Sequence, residues 1–278
     1  MAKGTSASKS SKRSSGGAES KERLDSLLVE RGLVESRSRA QAMILAGAVR
    51  VDGELVTKSG SRFSGNAELV LAEQSPYVSR SGEKLAGALD DFEVVVEGRW
   101  CLDAGASTGG FTDVLLQRGA RRVISADVGY GQLHWRLRND PRVDVLERTN
   151  VRHLSGEALP FAPELLVADL SFISLVVALG KLAETATSIQ EMILLVKPQF
   201  EAGPDQVGRG GVVKEPGARA ETIERVIEGF APLGFGAAGL SKAAITGRRS
   251  GNQEYPLRLQ RGAARSVAEE RISRVVAG

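Results

Sequence analysis

Asp103, Gly105, Ser107, Gly109 and Gly110 fall in one short stretch, DAGASTGGF, between an apolar run that begins at Trp100 and a helix-like run from Phe111 to Arg118. At a strand-to-helix turn, glycines let the backbone come close to a ligand, and the helix N-terminus offers that ligand free amides. The spacing DxGxxxGG lacks both the GxGxxG of dinucleotide folds and the Lys-Ser/Thr of a phosphate-binding loop, which argues against nicotinamide and ATP. A second apolar run, RRVISADVG, ends in Asp127 about 20 residues further on, where a carboxylate can take both hydroxyls of a ribose. An adenosine-bearing ligand fits both features. The competing reading is purely structural: Gly109 and Gly110 serve a tight turn, and Asp127 caps a helix.

Four further charged residues stand where a sheet would present them. Lys84 lies in SRSGEKL ahead of the first apolar run, Asp169 ends ELLVAD, Lys197 follows ILLV, and Glu254 opens the run EYPL. Open parallel sheets place their ligands at the carboxyl ends of the strands. A lysine directly after ILLV is unfavourable to bury unless it has a purpose. The single cysteine, Cys101, forms no internal disulfide. With only His134 and His153 beside it, there is no metal-ligand cluster and no nucleophilic triad, and both histidines read as structural.

These residues need elements to hold them. WCLDAG (Trp100 to Gly105), RRVISADVG, Glu164 to Ser171 and Glu191 to Phe200 are predicted strands of a doubly wound α/β sheet, the last two apolar throughout as expected for strands buried on both faces. Segments Gly234 to Ile245 and Gln253 to Leu259 are predicted to close it as a strand pair. Ahead of the sheet, Leu24, Leu27 and Leu28 recur at helical spacing up to Gly32. A second helix is expected from Ser36 to Ala46, with Ser36 as its cap, and Asp52-Gly53 marks a tight hairpin.

At 278 residues, with 42% hydrophobic and 26% charged, the chain has room for one large domain and one small one. The expected divisions are a disordered basic tail over 1–20, a small domain over 21–72, a linker over 73–80 and the sheet domain over 81–278. The first 80 residues hold 13 Lys and Arg against 9 Asp and Glu, a net of +4. The remainder holds 24 against 25, a net of −1, within the overall +3. A basic module attached to a near-neutral one suggests a tether for a polyanion. Neither a long apolar span nor a signal sequence is visible, so membrane insertion is disfavoured and a cytoplasmic chain is expected.

The N-terminal pattern Arg23-Leu24-Asp25, Gly32-Leu33, Ser36-Arg37, Ala40, Ile44, Gly47, Val49, Val51 and Gly53 resembles the RNA-binding domain named after small-subunit ribosomal protein four. That resemblance implies phosphate contacts at Arg31, Arg37, Arg39, Arg50 and Lys58. DxGxxxGG with an acidic end to the next strand resembles the S-adenosylmethionine site of FtsJ-like ribose methyltransferases. Taken with SRSGEKL, ADVGYGQL, ADLSFIS, LVKPQFE and GNQEY, residues 21–262 resemble the TlyA family of ribosomal RNA 2′-O-methyltransferases, some of whose members carry a hemolysin label. The resemblance implies a Rossmann-like sheet behind a small α+β RNA-binding domain, with S-adenosylmethionine as cofactor and ribosomal RNA or ribosomal subunits as partner.

It further implies a catalytic tetrad of Lys84, Asp169, Lys197 and Glu254. Asp103, Gly105, Ser107, Gly109 and Gly110 would contact the methionine moiety, Asp127 and Val128 the ribose and adenine, and Asn150 the adenine edge. By that analogy Lys197 is the base. A lysine of ordinary pKa, ~10.4, must be depressed toward ~7–8 to serve at neutral pH. Burial and Lys84 push it down, whereas Asp169 and Glu254 push it up. The implied reaction is methylation of a ribose 2′-hydroxyl, on cytidine. A noncatalytic RNA-binding or ribosome-assembly factor is the alternative from another class. A membrane-lytic protein is disfavoured by the absence of a basic amphipathic helix. The glycine-rich stretch Gly203 to Pro216, with Arg209 and Lys214, reads equally as a flap over RNA and as an inert loop.

Overall fold

The computed structural model describes residues 21–45, 47–71, 75–208, 210–243, 245 and 252–277. The expected tail over 1–20, Ala46, the start of the linker at Glu73 and Arg209 lie outside the described residues. The chain divides into two compact units, Met1–Gln74 and Ser75–Gly278.

In the first unit β1 (Lys21–Arg23) leads directly into α1 (Leu24–Glu30). After Gly32 and a turn, α2 (Arg37–Leu45) follows, begun by the Ser36 hydroxyl, which accepts the Arg39 amide at 3.2 Å. Strands β2 (Val49–Val51) and β3 (Glu54–Leu55) form the expected hairpin, with Asp52 and Gly53 both at positive φ. Two further short strands were not expected: β4 (Arg62–Ser64) pairs with β1, and β5 (Leu69–Leu71) pairs with β2. Leu24, Leu28, Ala40, Ile44 and Val49 are wholly buried at the centre. Asp25 shares that burial because its carboxylate takes Arg23 at 2.8 and 3.0 Å, Gln41 at 2.9 Å and Arg37 at 3.3 Å.

The second unit opens with α3 (Ser81–Asp91). It continues as β6 (Trp100–Ala104), α4 (Gly110–Gln117), β7 (Arg122–Ala126), the short α5 (Trp135–Arg138), β8 (Val143–Leu146), β9 (Leu165–Ala168), α6 (Leu175–Thr185) and β10 (Glu191–Val196). The single turn α7 (Pro198–Glu201), α8 (Pro216–Phe230), β11 (Phe235–Leu240), β12 (Tyr255–Arg261) and α9 (Glu269–Ala277) complete it. Among the described residues the sheet has the order β11-β12-β10-β9-β6-β7-β8. Strands β6 to β10 are mutually parallel, and β12 is inserted antiparallel between β10 and β11.

Alternate strand residues feed two cores. Leu102, Ile124, Leu166 and Leu194 pack under α6 and α8, whereas Cys101, Val123, Leu165 and Ile193 pack under α3 and α4. The run expected to be a strand as far as Phe200 stops at Val196. Pro198 has no N–H for the ladder and instead starts α7.

The Asp25 cluster gives a stability prediction. The Arg23 hydrogen bonds hold the Asp25 carboxyl well below the usual carboxylate range, so its contribution is present above about pH 4 and is lost as the pH falls below that. Asp25→Ala should destabilise the first unit by about 2–3 kcal/mol. Asp25→Asn should remove its acid sensitivity. Urea melts read by hydrogen exchange of α1, at neutral and acid pH, check both, and equal acid sensitivity of the Asn variant and the native chain would refute the assignment.

Candidate active site

The sheet brings the dispersed charged residues to one edge. Ala104 pairs with Ala168 across β6 and β9, so Gly105 and Asp169 leave the sheet side by side. Val196 pairs with Tyr255 across β10 and β12, so Lys197 and Glu254 flank that pair. Because β12 runs backwards, its first residues reach the edge where its neighbours end. Strand β6 sits between β7 on one side and β9 on the other, the position at which chain order reverses and beyond which open α/β sheets bind their ligands.

Two buried ion pairs occupy this edge. Lys84, from α3, places Nζ 2.5 Å from Glu254 Oε2, with the two side chains only 11% and 5% exposed. Lys197 Nζ stands 2.5 Å from Asp169 Oδ1, close but outside hydrogen-bond alignment, and donates to Ser171 Oγ at 3.0 Å. Each ammonium group is thus removed from water but neutralised, the condition on which a protein interior tolerates it. Ser171 was not among the residues singled out from the sequence. Its position two residues past an aspartate that ends a strand was the available signal.

The turn after β6 is packed against its own chain. Gly105 has φ +87°, and a Cβ there would stand 2.8 Å from the Asp169 carbonyl oxygen. A Cβ on Gly110 would collide with the hydroxyls of Ser79 and Ser81, where the start of α4 abuts the start of α3. Gly109 lies buried beneath Leu133 and Leu137. Close approach is therefore required at these glycines, but by neighbouring segments of the protein. Ser107 remains exposed, and its amide donates to Asp127 Oδ2 at 2.9 Å. Asp127 Oδ1 accepts the Gly129 amide at 2.6 Å, so this carboxylate joins the turns after β6 and β7. Val128 beside it is 67% exposed. Asn150 caps a short helical turn by accepting the Arg152 amide at 3.1 Å.

Asp103 is wholly buried. Its Oδ2 accepts the Thr112 hydroxyl at 2.7 Å, Thr112 in turn contacts Ser125 Oγ at 2.7 Å, and its Oδ1 has no partner. Burial, only partly offset by Thr112, pushes its pKa up to about 7. An unpartnered, buried carboxylate oxygen near the carboxyl end of β6 suits a positively charged group.

In the first unit Arg31, Arg37, Arg39, Arg50 and Lys58 are all exposed. Three of them also serve the fold: Arg31 donates to the carbonyls of Ala67 and Gly65, Arg37 to Asp25, and Arg50 to the Gly53 carbonyl. Among the described residues no cluster suited to a metal ion is present, and no helix is long and apolar enough to cross a membrane.

A mostly parallel sheet with helices on both faces, and two lysine–carboxylate pairs at the ends of its strands, is the architecture of an α/β enzyme. Models of the FtsJ-like methyltransferase and of the S4 domain match residues 77–261 and 22–69. The 16S/23S rRNA (cytidine-2′-O)-methyltransferase TlyA of Mycobacterium tuberculosis is 48% identical over 91% of this chain and 95% of its own. Hemolysin A of Brachyspira hyodysenteriae is 38% identical over 84% and 97%. A solved structure from Streptococcus thermophilus that carries a hemolysin label superposes with a TM-score of 0.72 at 38% identity, covering 94% of this chain and 96% of that one. The chain belongs to the TlyA family of FtsJ-like methyltransferases.

The Asp103 carboxyl sets a testable pH dependence. Between 3.8, its ordinary value, and about 7, the folded protein keeps a proton that the unfolded chain has lost. Folding is therefore disfavoured progressively as pH rises through that window. Asp103→Asn should gain thermal stability relative to the native chain across it. Parallel melting temperatures from about pH 4 to about pH 7 would show that Asp103 stays ionised.

Proposed function

We propose that this protein transfers the methyl group of S-adenosylmethionine to the 2′-hydroxyl of a cytidine in ribosomal RNA. The observation that carries this reading is the meeting of Lys84, Asp169, Lys197 and Glu254 at one sheet edge as two buried ion pairs. The same reaction names a relative 48% identical to this chain. The cofactor fits the residues present: the unpartnered Oδ1 of Asp103 would accept the cationic end of its methionine moiety. Asp127 keeps lone pairs for ribose hydroxyls beyond the amides it already binds. Val128 would line the adenine, and Ser107 and Gly105 would line the methionine moiety.

S-adenosylmethionine, when bound, supplies an electrophilic methyl group on sulfur. The protein must align the 2′-oxygen with it and take away the hydroxyl proton. Lys197 Nζ is the group assigned to receive that proton. Asp169 and Ser171 hold the amine in place, and Asp169 stabilises the ammonium group once formed. The Lys84–Glu254 pair holds a second ammonium group at the same sheet edge, which would stabilise negative charge developing on the oxygen as it loses its proton. The exposed Arg39 and Lys58, with the outer faces of Arg31, Arg37 and Arg50, supply phosphate contacts that fix register without reading sequence.

Lys197→Ala should bind S-adenosylmethionine with nearly native affinity by calorimetry and methylate ribosomal RNA at least ~10²-fold more slowly. Native turnover would remove Lys197 from the mechanism. Mapping 2′-O-methylated nucleotides in RNA from cells with and without the protein tests the substrate itself.

Deleting residues 1–72 removes the basic excess and leaves all four tetrad residues in place. The truncated protein should retain cofactor binding, while its RNA affinity falls and loses its steep salt dependence. An unchanged salt slope would place RNA capture in the sheet domain.

A further inference from the structure

The loop after β9 and the turn after β10 are joined at three successive levels. At the first, Asp169 and Ser171 hold Lys197. At the second, the Phe172 and Phe200 rings meet at a tilt of 47° with centroids 5.0 Å apart, Phe172 having φ +65°. At the third, the Glu201 carboxylate at the end of α7 reaches back to α6, where its Oε1 accepts the amide of Leu175, the first helical residue, at 2.7 Å. Ser174, the cap residue of α6, makes no side-chain cap hydrogen bond to its own helix. The cap of α6 is thus supplied by the segment that begins at Lys197.

Glu201 is 6% exposed, and burial holds its carboxyl above the usual carboxylate range despite the Leu175 amide. Its backbone carbonyl is taken by Arg225 of α8, which anchors the turn from behind. Burying a carboxylate solely to cap a helix is unfavourable when Ser174 could do so locally. What the longer reach adds is a fixed separation between the segment that carries Asp169 and the one that carries Lys197.

We propose that Glu201 is a positioning residue for methyl transfer: by tying the start of α6 to the end of α7, it sets the placement of the Lys197 amine against Asp169 and Ser171. The inference rests on the methyl-transfer reading. It assigns Glu201 no contact with substrate or cofactor.

The test compares Glu201→Ala, which removes the acceptor, with Glu201→Gln, which keeps an acceptor oxygen of the same reach. Glu201→Ala should lower kcat at least about tenfold, leaving KM for RNA and S-adenosylmethionine affinity within about twofold, and Glu201→Gln should restore most of the rate. A second readout needs no turnover. Acylation of Lys197, followed by peptide mass spectrometry on the full-length protein, should be faster in Glu201→Ala than in the native chain and near native in Glu201→Gln. Native kcat and native Lys197 reactivity in a folded Glu201→Ala protein would overturn the inference. So would a loss that Glu201→Gln fails to rescue. If the native protein itself methylates no ribosomal RNA, the functional reading fails. The acylation comparison then still decides whether Glu201 places Lys197.

Discussion

A buried ammonium group must have a carboxylate against it, and this chain buries two of them at one edge of one sheet. Neither lysine can be placed independently of its partner. Lys84 draws α3 against the start of β12, and Lys197 draws the end of β10 against the end of β9. The antiparallel insertion of β12 follows the same requirement, since only a reversed strand brings its first residues, with Glu254, to the edge where the others finish. The pairs add little net stability over an apolar core of equal volume. What they fix is which segments meet at that edge: α3 with the start of β12, and the end of β10 with the end of β9.

The glycine-rich turn has a different physical basis from the one its sequence suggests. Gly105 is small so that the turn can pass the Asp169 carbonyl, and Gly110 is small so that two helix starts can touch. The turn is therefore shaped by protein segments that approach one another where no side chain intervenes. Asp127 has the same dual character. It joins two turns through backbone amides, which fixes where its remaining lone pairs point.

The parts of this arrangement visible in the sequence were those written locally. Strands buried on both faces read as continuous apolar runs, so the charged residues that interrupt or end them stand out, as Asp169 and Lys197 do. Short polar strands do not: KER and RFS show no alternation, and β1 and β4 are strands only because they pair across the intervening helices and hairpin. Pairings between distant segments were equally hidden. Arg31 reads as a free cation until the carbonyls of Gly65 and Ala67 come to it, and Glu201 reads as the end of a motif until α6 presents an uncapped amide. Asp103 was legible as the carboxylate near the end of the first sheet strand. Its lone unpartnered oxygen was not, because that depends on what Thr112 and Ser125 already occupy.

The reversed strand also orders events during synthesis. The first unit closes through short-range contacts and can fold while the rest is still being translated. By the time β10 has emerged, Lys197 has its carboxylate from β9, but Lys84 still has no partner, since Glu254 lies beyond β11 near the end of the sheet. Completion of the second charge pair is therefore among the last steps in the growing polypeptide. A ribosome-tethered chain displays its S4 domain well before both buried charge pairs of the sheet are complete.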